Sequence, residues 1–113
     1  GTPYEPDFRG AILFLETYGQ DTYALGGFMH HLMLANKLQQ VAGVVFGQFP
    51  DCEEIGFTKH DVLSEHCAEL NIPAVYGMMI GHMEQQTTLP IGCEVELNAD
   101  LGTLTLTEEA VTG

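Results

Sequence analysis

A chain of 113 residues, 45% apolar and 17% charged, can bury one core, is too short for two domains and is not a disordered tail. Its net charge of −13, with Arg9, Lys37 and Lys59 as the fixed cations, disfavours nucleic acid and anionic membrane surfaces, which need clustered Lys and Arg. No apolar run approaches the ~20 residues of a membrane span, and Cys52, Cys67 and Cys93, an odd count without a CxxC pair, point to free thiols in a reducing compartment.

The first ten residues, "GTPYEPDFRG", carry two prolines and read as a linker entering a domain at 11–113. The chain starts at Gly and shows no signal peptide, so it reads as a processed or excised piece. "AILFLETYGQ" (11–20) begins with an apolar run that reads as a buried strand over 11–16 and stops at Glu16. From this stretch alone, Glu16 is either an acid at a strand's surface end or part of a site at the strand's tip. "TYALGGFMHHLMLANKL" (22–38) follows a helical period, with Leu25, Phe28, Leu32 and Ala35 on one stripe and Met29 beside it. Gly26 and Gly27 weaken that helix by ~1 kcal/mol each relative to Ala.

"VAGVVFG" (41–47) is a continuous Val-rich run, suited to a strand covered on both faces. "QFPDCEEIGF" (48–57) reads as a loop. Thr58, with Asp61 three residues on, forms a capping-box pattern for a helix through "DVLSEHCAEL", which Asn71 and Pro73 close. "PAVYG" (73–77) is a third short strand, followed by the irregular "MMIGHMEQQTTLPIG". "CEVELNA" and "TLTLTE" alternate with period two and join through Asp100-Leu101-Gly102, a hairpin signal. The order predicts an α/β fold: a βαβαβ core with parallel strands and right-handed crossovers, plus a C-terminal antiparallel hairpin in a small mixed sheet.

Ligands of open parallel sheets gather beyond the carboxyl ends of the strands. Two ionisable residues fall there: Glu16 at the end of the first strand, and His82 five residues past the third, after Gly81. A histidine suits proton transfer near neutral pH, and a carboxylate can fix its tautomer and hold the imidazolium. They form two thirds of a nucleophile–base–orienter triad. The nucleophile is missing. Ser64 reads as a solvated helix residue, no Gly-x-Ser-x-Gly elbow is present, Cys67 reads as core, Cys52 lies in an acidic loop and Cys93 starts a strand.

The remaining ionisable residues read as structural. His30 and His31 are adjacent, about 100° apart on a helix, and with His60 and His66 read as surface or partly packed positions. Glu53, Glu54, Glu108 and Glu109 read as solvated acids, and Asp51 as a loop acid. No metal and no cofactor is expected.

Five pieces in order carry a family resemblance: "GTPYEPDFRG" (1–10), "ILFLE" (12–16), "VAGVVFGQFPDC" (41–52), "IPAVYG" with the following "GH" (72–77, 81–82), and "TLPIGCEVELNADLGTLTL" (88–106). Together they resemble the C-terminal domain of the LD-carboxypeptidase family of serine peptidases, which includes the microcin-immunity peptidases. The resemblance implies a swivelling-type small domain in which Glu16 and His82 serve a Ser-Glu-His triad. The Ser and the oxyanion hole belong to a separate N-terminal domain in that family, so the piece alone is expected to be inactive and to self-associate. The implied reaction is acyl transfer releasing the terminal D-alanine of cell-wall tetrapeptides. The implied setting is the bacterial cytosol, in peptidoglycan recycling, as a homodimer. An amidase of the microcin-immunity type and a non-catalytic interaction module are the alternatives.

The sequence departs from the family pattern at several places. Thr17 and Gln20 stand where acids are usual, no Arg accompanies Gly26-Gly27, and "MEQQTTLP" follows His82 where a Gly and a basic residue are common.

Overall fold

Residues 1–112 are described in a computed structural model of the protein. Chain order is β1 (Ile12–Leu15), α1 (Thr22–Leu34), a 3-10 turn (Leu38–Gln40), β2 (Gly43–Phe46), α2 (Lys59–Glu69), β3 (Ala74–Val75), β4 (Val95–Asn98) and β5 (Thr103–Leu106). The first three strands form a parallel sheet in the order β1-β2-β3, with Ile12 opposite Gly43 and Val44 opposite Ala74. β2 is central and buried throughout, as its unbroken apolar run requires. β3 keeps only two residues: Pro73 before it has no N–H for the ladder, and Gly77 soon after it turns through φ +77°.

α1 and α2 pack against one another, and through the core against one face of this sheet. Leu25, Met29, Leu38, Val44, Phe46, Phe49, Leu63 and Cys67 form the core between these layers. Of the expected face of α1, Leu25 and the neighbouring Met29 are buried and Leu32 packs against the core, but Phe28 is 52% exposed and Ala35 is also exposed, while Thr22 joins the buried line. α1 starts on Asp21, whose carboxylate accepts from the Ala24 N–H at 2.8 Å. It ends before Asn36, which takes the left-handed conformation at φ 57° while Lys37 N–H reaches Leu32 O at 2.8 Å.

α2 carries the capping box that its sequence announces. Asp61 N–H donates to Thr58 Oγ1 at 3.1 Å, and Thr58 N–H donates to Asp61 Oδ2. Thr58→Ala is expected to lower unfolding stability by about 1 kcal/mol. A denaturant midpoint unchanged by the substitution would show that the cap carries no net stability.

The hairpin differs from the expected mixed sheet. β4 and β5 pair antiparallel with one another, Val95 opposite Leu106, and form a separate two-stranded sheet. It touches the parallel sheet through side chains: a Cβ on Gly43 would lie 2.7 Å from Leu97 Cδ2 and 3.2 Å from Pro73 O. Residues 1–10 lack helix and strand but are tied down. Lys37 pairs with Glu5, holding that carboxyl at about 2, and lies 5.6 Å from the centroid of the Phe8 ring. No helix of the described residues is long and apolar enough to cross a membrane.

Candidate active site

Side chains alternate along β1, so Leu13 and Leu15 join the helix-side core while Ile12, Phe14 and Glu16 turn to the other face. The loop after β3 comes to that same face. Gly47 N–H donates to Leu15 O, Met78 N–H to Phe46 O and Gln48 N–H to Ile80 O at 3.1 Å, so residues 78–80 lie across the end of β2. Gly47 makes this crossing possible. A Cβ there would sit 2.4 Å from Ile80 O and 3.0 Å from the Phe14 ring. The chain then passes Gly81 at φ +125°, where a Cβ would meet Glu16 Oε2 at 2.8 Å.

This path brings His82 Nδ1 to 2.8 Å from Glu16 Oε2. Glu16 is 21% exposed and His82 63% exposed, so the carboxylate is held in the wall while the imidazole stands at the rim. With Nδ1–H donated to Glu16, the neutral ring presents Nε2 as an acceptor. Tyr18 lies beside the imidazole, ring centroids 5.9 Å apart and tilted by 45°. The Asp51 carboxylate next to the Tyr18 phenol raises that phenol's pKa. Tyr18 joins the neighbourhood of His82, with Asp51 beside its phenol, without a sequence signal: Asp51 reads as a loop acid, and nothing in the sequence singles out Tyr18. Gly47 was legible only as the last residue of an apolar run.

Glu16 and His82 open onto a cleft of about 830 Å³ that also touches Phe14, Gln86, Thr88 and Leu89. Among the described residues, no Lys or Arg lines it. Arg9 is paired with Asp7, Lys37 with Glu5, and Lys59 lies at the start of α2. The cleft therefore holds an imidazole hydrogen-bonded to a carboxylate within a mixed polar and apolar wall.

The other residues considered from sequence lie elsewhere. Ser64 Oγ donates to Asp61 O within α2 at 3.2 Å. Cys67 is core, and burial pushes its thiol up to about 11. Burial also raises Cys52, which makes a thiolate nucleophile less accessible there. His66 is more buried than its sequence position suggests, 9% exposed and 5.6 Å in ring separation from His30 across the helix contact. Among the described residues, no three His, Cys, Asp or Glu side chains cluster as metal ligands.

Comparison with known proteins matches the chain to the family model described as the LD-carboxypeptidase C-terminal domain, over residues 1–97. A Streptomyces coelicolor protein named as a carboxypeptidase is 36% identical over 112 residues, covering 98% of this chain and 36% of that protein. The crystal structure of muramoyltetrapeptide carboxypeptidase from Oxalobacter formigenes superposes with a TM-score of 0.82 at 30% identity, covering 94% of this chain and 39% of that one. Microcin C7 self-immunity protein MccF, known from Escherichia coli, shares the fold with a TM-score of 0.90 at 23% identity, covering 99% of this chain and 34% of its own. The chain thus spans little more than a third of the length of the proteins it matches. Its parallel three-stranded sheet, separate hairpin and family match over residues 1–97 lead to one conclusion: the chain belongs to the LD-carboxypeptidase family, as its C-terminal domain.

Proposed function

We propose that this domain supplies the general base and its orienting acid to a serine carboxypeptidase that removes the terminal D-alanine from cell-wall tetrapeptides. The 2.8 Å contact between His82 Nδ1 and Glu16 Oε2 carries the reading. It fixes the tautomer in which Nε2 can take the proton of a serine hydroxyl. The serine and the oxyanion donors come, in this reading, from the part of the enzyme that the longer relatives have and this chain does not span. Serine attacks the peptide carbonyl while His82 accepts its proton. His82 then protonates the departing D-alanine amine, and water, activated by the same imidazole, releases the acyl group. Glu16 stays ionised throughout and stabilises the imidazolium. We place the enzyme in the bacterial cytosol, in peptidoglycan recycling, as a homodimer.

The substrate class follows the more similar relatives, both named as carboxypeptidases; the 23% likeness to MccF speaks to fold alone. The test is D-alanine release from a muramoyl tetrapeptide by the intact enzyme, alongside His82→Ala. Release by the wild type and a fall of about 10³-fold or more in the variant is expected. A folded wild type that releases no D-alanine but cleaves an aminoacyl sulfamoyl nucleoside, the kind of ligand complexed with MccF, would replace the substrate and keep the pair.

A further inference from the structure

The loop that carries His82 has no ladder of its own, so something else must fix where it stands. Residue 48 donates three hydrogen bonds to the loop's backbone carbonyls. The Gln48 backbone N–H reaches Ile80 O at 3.1 Å. Its side-chain Nε2 donates to Gly77 O at 2.7 Å and to Met78 O at 3.3 Å. Three of the four carbonyls from 77 to 80 therefore point at one residue at the carboxyl end of the central strand. The fourth, Met79 O, accepts from Thr87 N–H on the far side of the turn. Only Met79, Ile80 and Gly81 separate Met78 from His82, so a shift of the clamped segment passes directly into the imidazole.

Resting on the assignment of Glu16 and His82 above, we propose that Gln48 is a positioning residue for that pair. Its amide clamps Gly77 and Met78 so that His82 stays within hydrogen-bond reach of Glu16. Gln48 touches neither the imidazole nor the carboxylate and acts only through the loop. The Gly77 carbonyl freed in a variant can turn to water, because Gly77 is exposed, and Met78 O keeps the Ile80 N–H at 2.7 Å. Global stability should therefore change little, while the geometry of the site should loosen; a misplacement of about 1 Å can cost on the order of 10²-fold in rate.

The test compares Gln48→Ala and Gln48→Glu in the intact enzyme by D-alanine release and by amide hydrogen exchange. Glu keeps the length of the side chain and removes the donor, so it separates hydrogen bonding from packing. Both variants should exchange at least tenfold faster within residues 77–82, with β1 and β2 unchanged. Both should lose about ten- to a hundredfold in kcat with KM within twofold. Exchange in 77–82 equal to the wild type, or faster exchange with kcat unchanged, would overturn the role. Equal D-alanine release by wild type and His82→Ala would overturn the assignment beneath it, and this role with it.

Discussion

Glu16→Gln is expected to lower kcat of the intact enzyme by about 10⁴-fold, with the chain folded and KM nearly unchanged. The side chain keeps its size and its place at the end of β1, where it is 21% exposed. What changes is the chemistry at 2.8 Å from His82 Nδ1. An amide nitrogen there donates to Nδ1 and drives the proton to Nε2, the atom that accepts from serine in the proposed mechanism. Where the amide oxygen faces Nδ1 instead, the carboxylate charge that stabilises the imidazolium is still gone. Steady-state kinetics on tetrapeptide, with circular dichroism to establish folding, measures the effect. Activity within tenfold of the wild type would mean that Glu16 does no more than end a strand.

Gly81→Ala should cost at least about 10²-fold in kcat for a different reason. The residue sits at φ +125°, a region that side chains rarely adopt, and the added methyl would lie 2.8 Å from Glu16 Oε2, 3.2 Å from its Cγ and 3.3 Å from its Cβ. The methyl and the carboxylate cannot both stay. Either Glu16 swings away or the loop lifts, and both lengthen the contact with His82. Backbone strain adds roughly 1–3 kcal/mol of destabilisation. Gly92→Ala separates the two effects: φ there is +87°, but nothing lies within 4 Å of the new Cβ. It should lose stability on a similar scale and keep its activity. Equal activities of the two variants would show that strain alone, and not the approach to Glu16, makes Gly81 necessary.

The elements were largely legible in the sequence because each rests on a local signal. The unbroken run Val41–Gly47 marks a strand covered on both faces, and Gly43–Phe46 is buried throughout. Thr58 and Asp61 mark a helix start that the hydrogen bonds reproduce. The two alternating runs at the C-terminus mark β4 and β5. The face of α1 was legible in part: Leu25, Met29 and Leu32 pack inward as their spacing indicates, while Phe28 and Ala35 at the edge of that face stay outside. The union of the hairpin with the rest was not legible, since the Leu97 side chain packs over the Gly43 backbone and no ladder joins the two sheets.

For the site, strand order alone places Glu16 and His82 at the same end of the sheet. The 2.8 Å between them comes from the course of residues 78–82 over the end of β2. That course depends on the missing side chains of Gly47 and Gly81 and on the amide of Gln48. Gly47 and Gln48 have no periodicity or motif that points to a loop some thirty residues away, and Gly81 reads in the sequence as a turn before His82, not as the residue that lies against Glu16. Tyr18, which flanks the imidazole, is hidden for the same reason.

The central claim is that Glu16 and His82 work as one unit. A double-mutant cycle on D-alanine release by the intact enzyme tests it: wild type, Glu16→Gln, His82→Ala and the double variant. Residues that act together are strongly non-additive. The double variant should therefore be about as slow as His82→Ala alone, because an acid that only orients the imidazole has nothing left to orient. A double variant slower by the product of the two single effects would contradict the account and make the 2.8 Å contact incidental to catalysis.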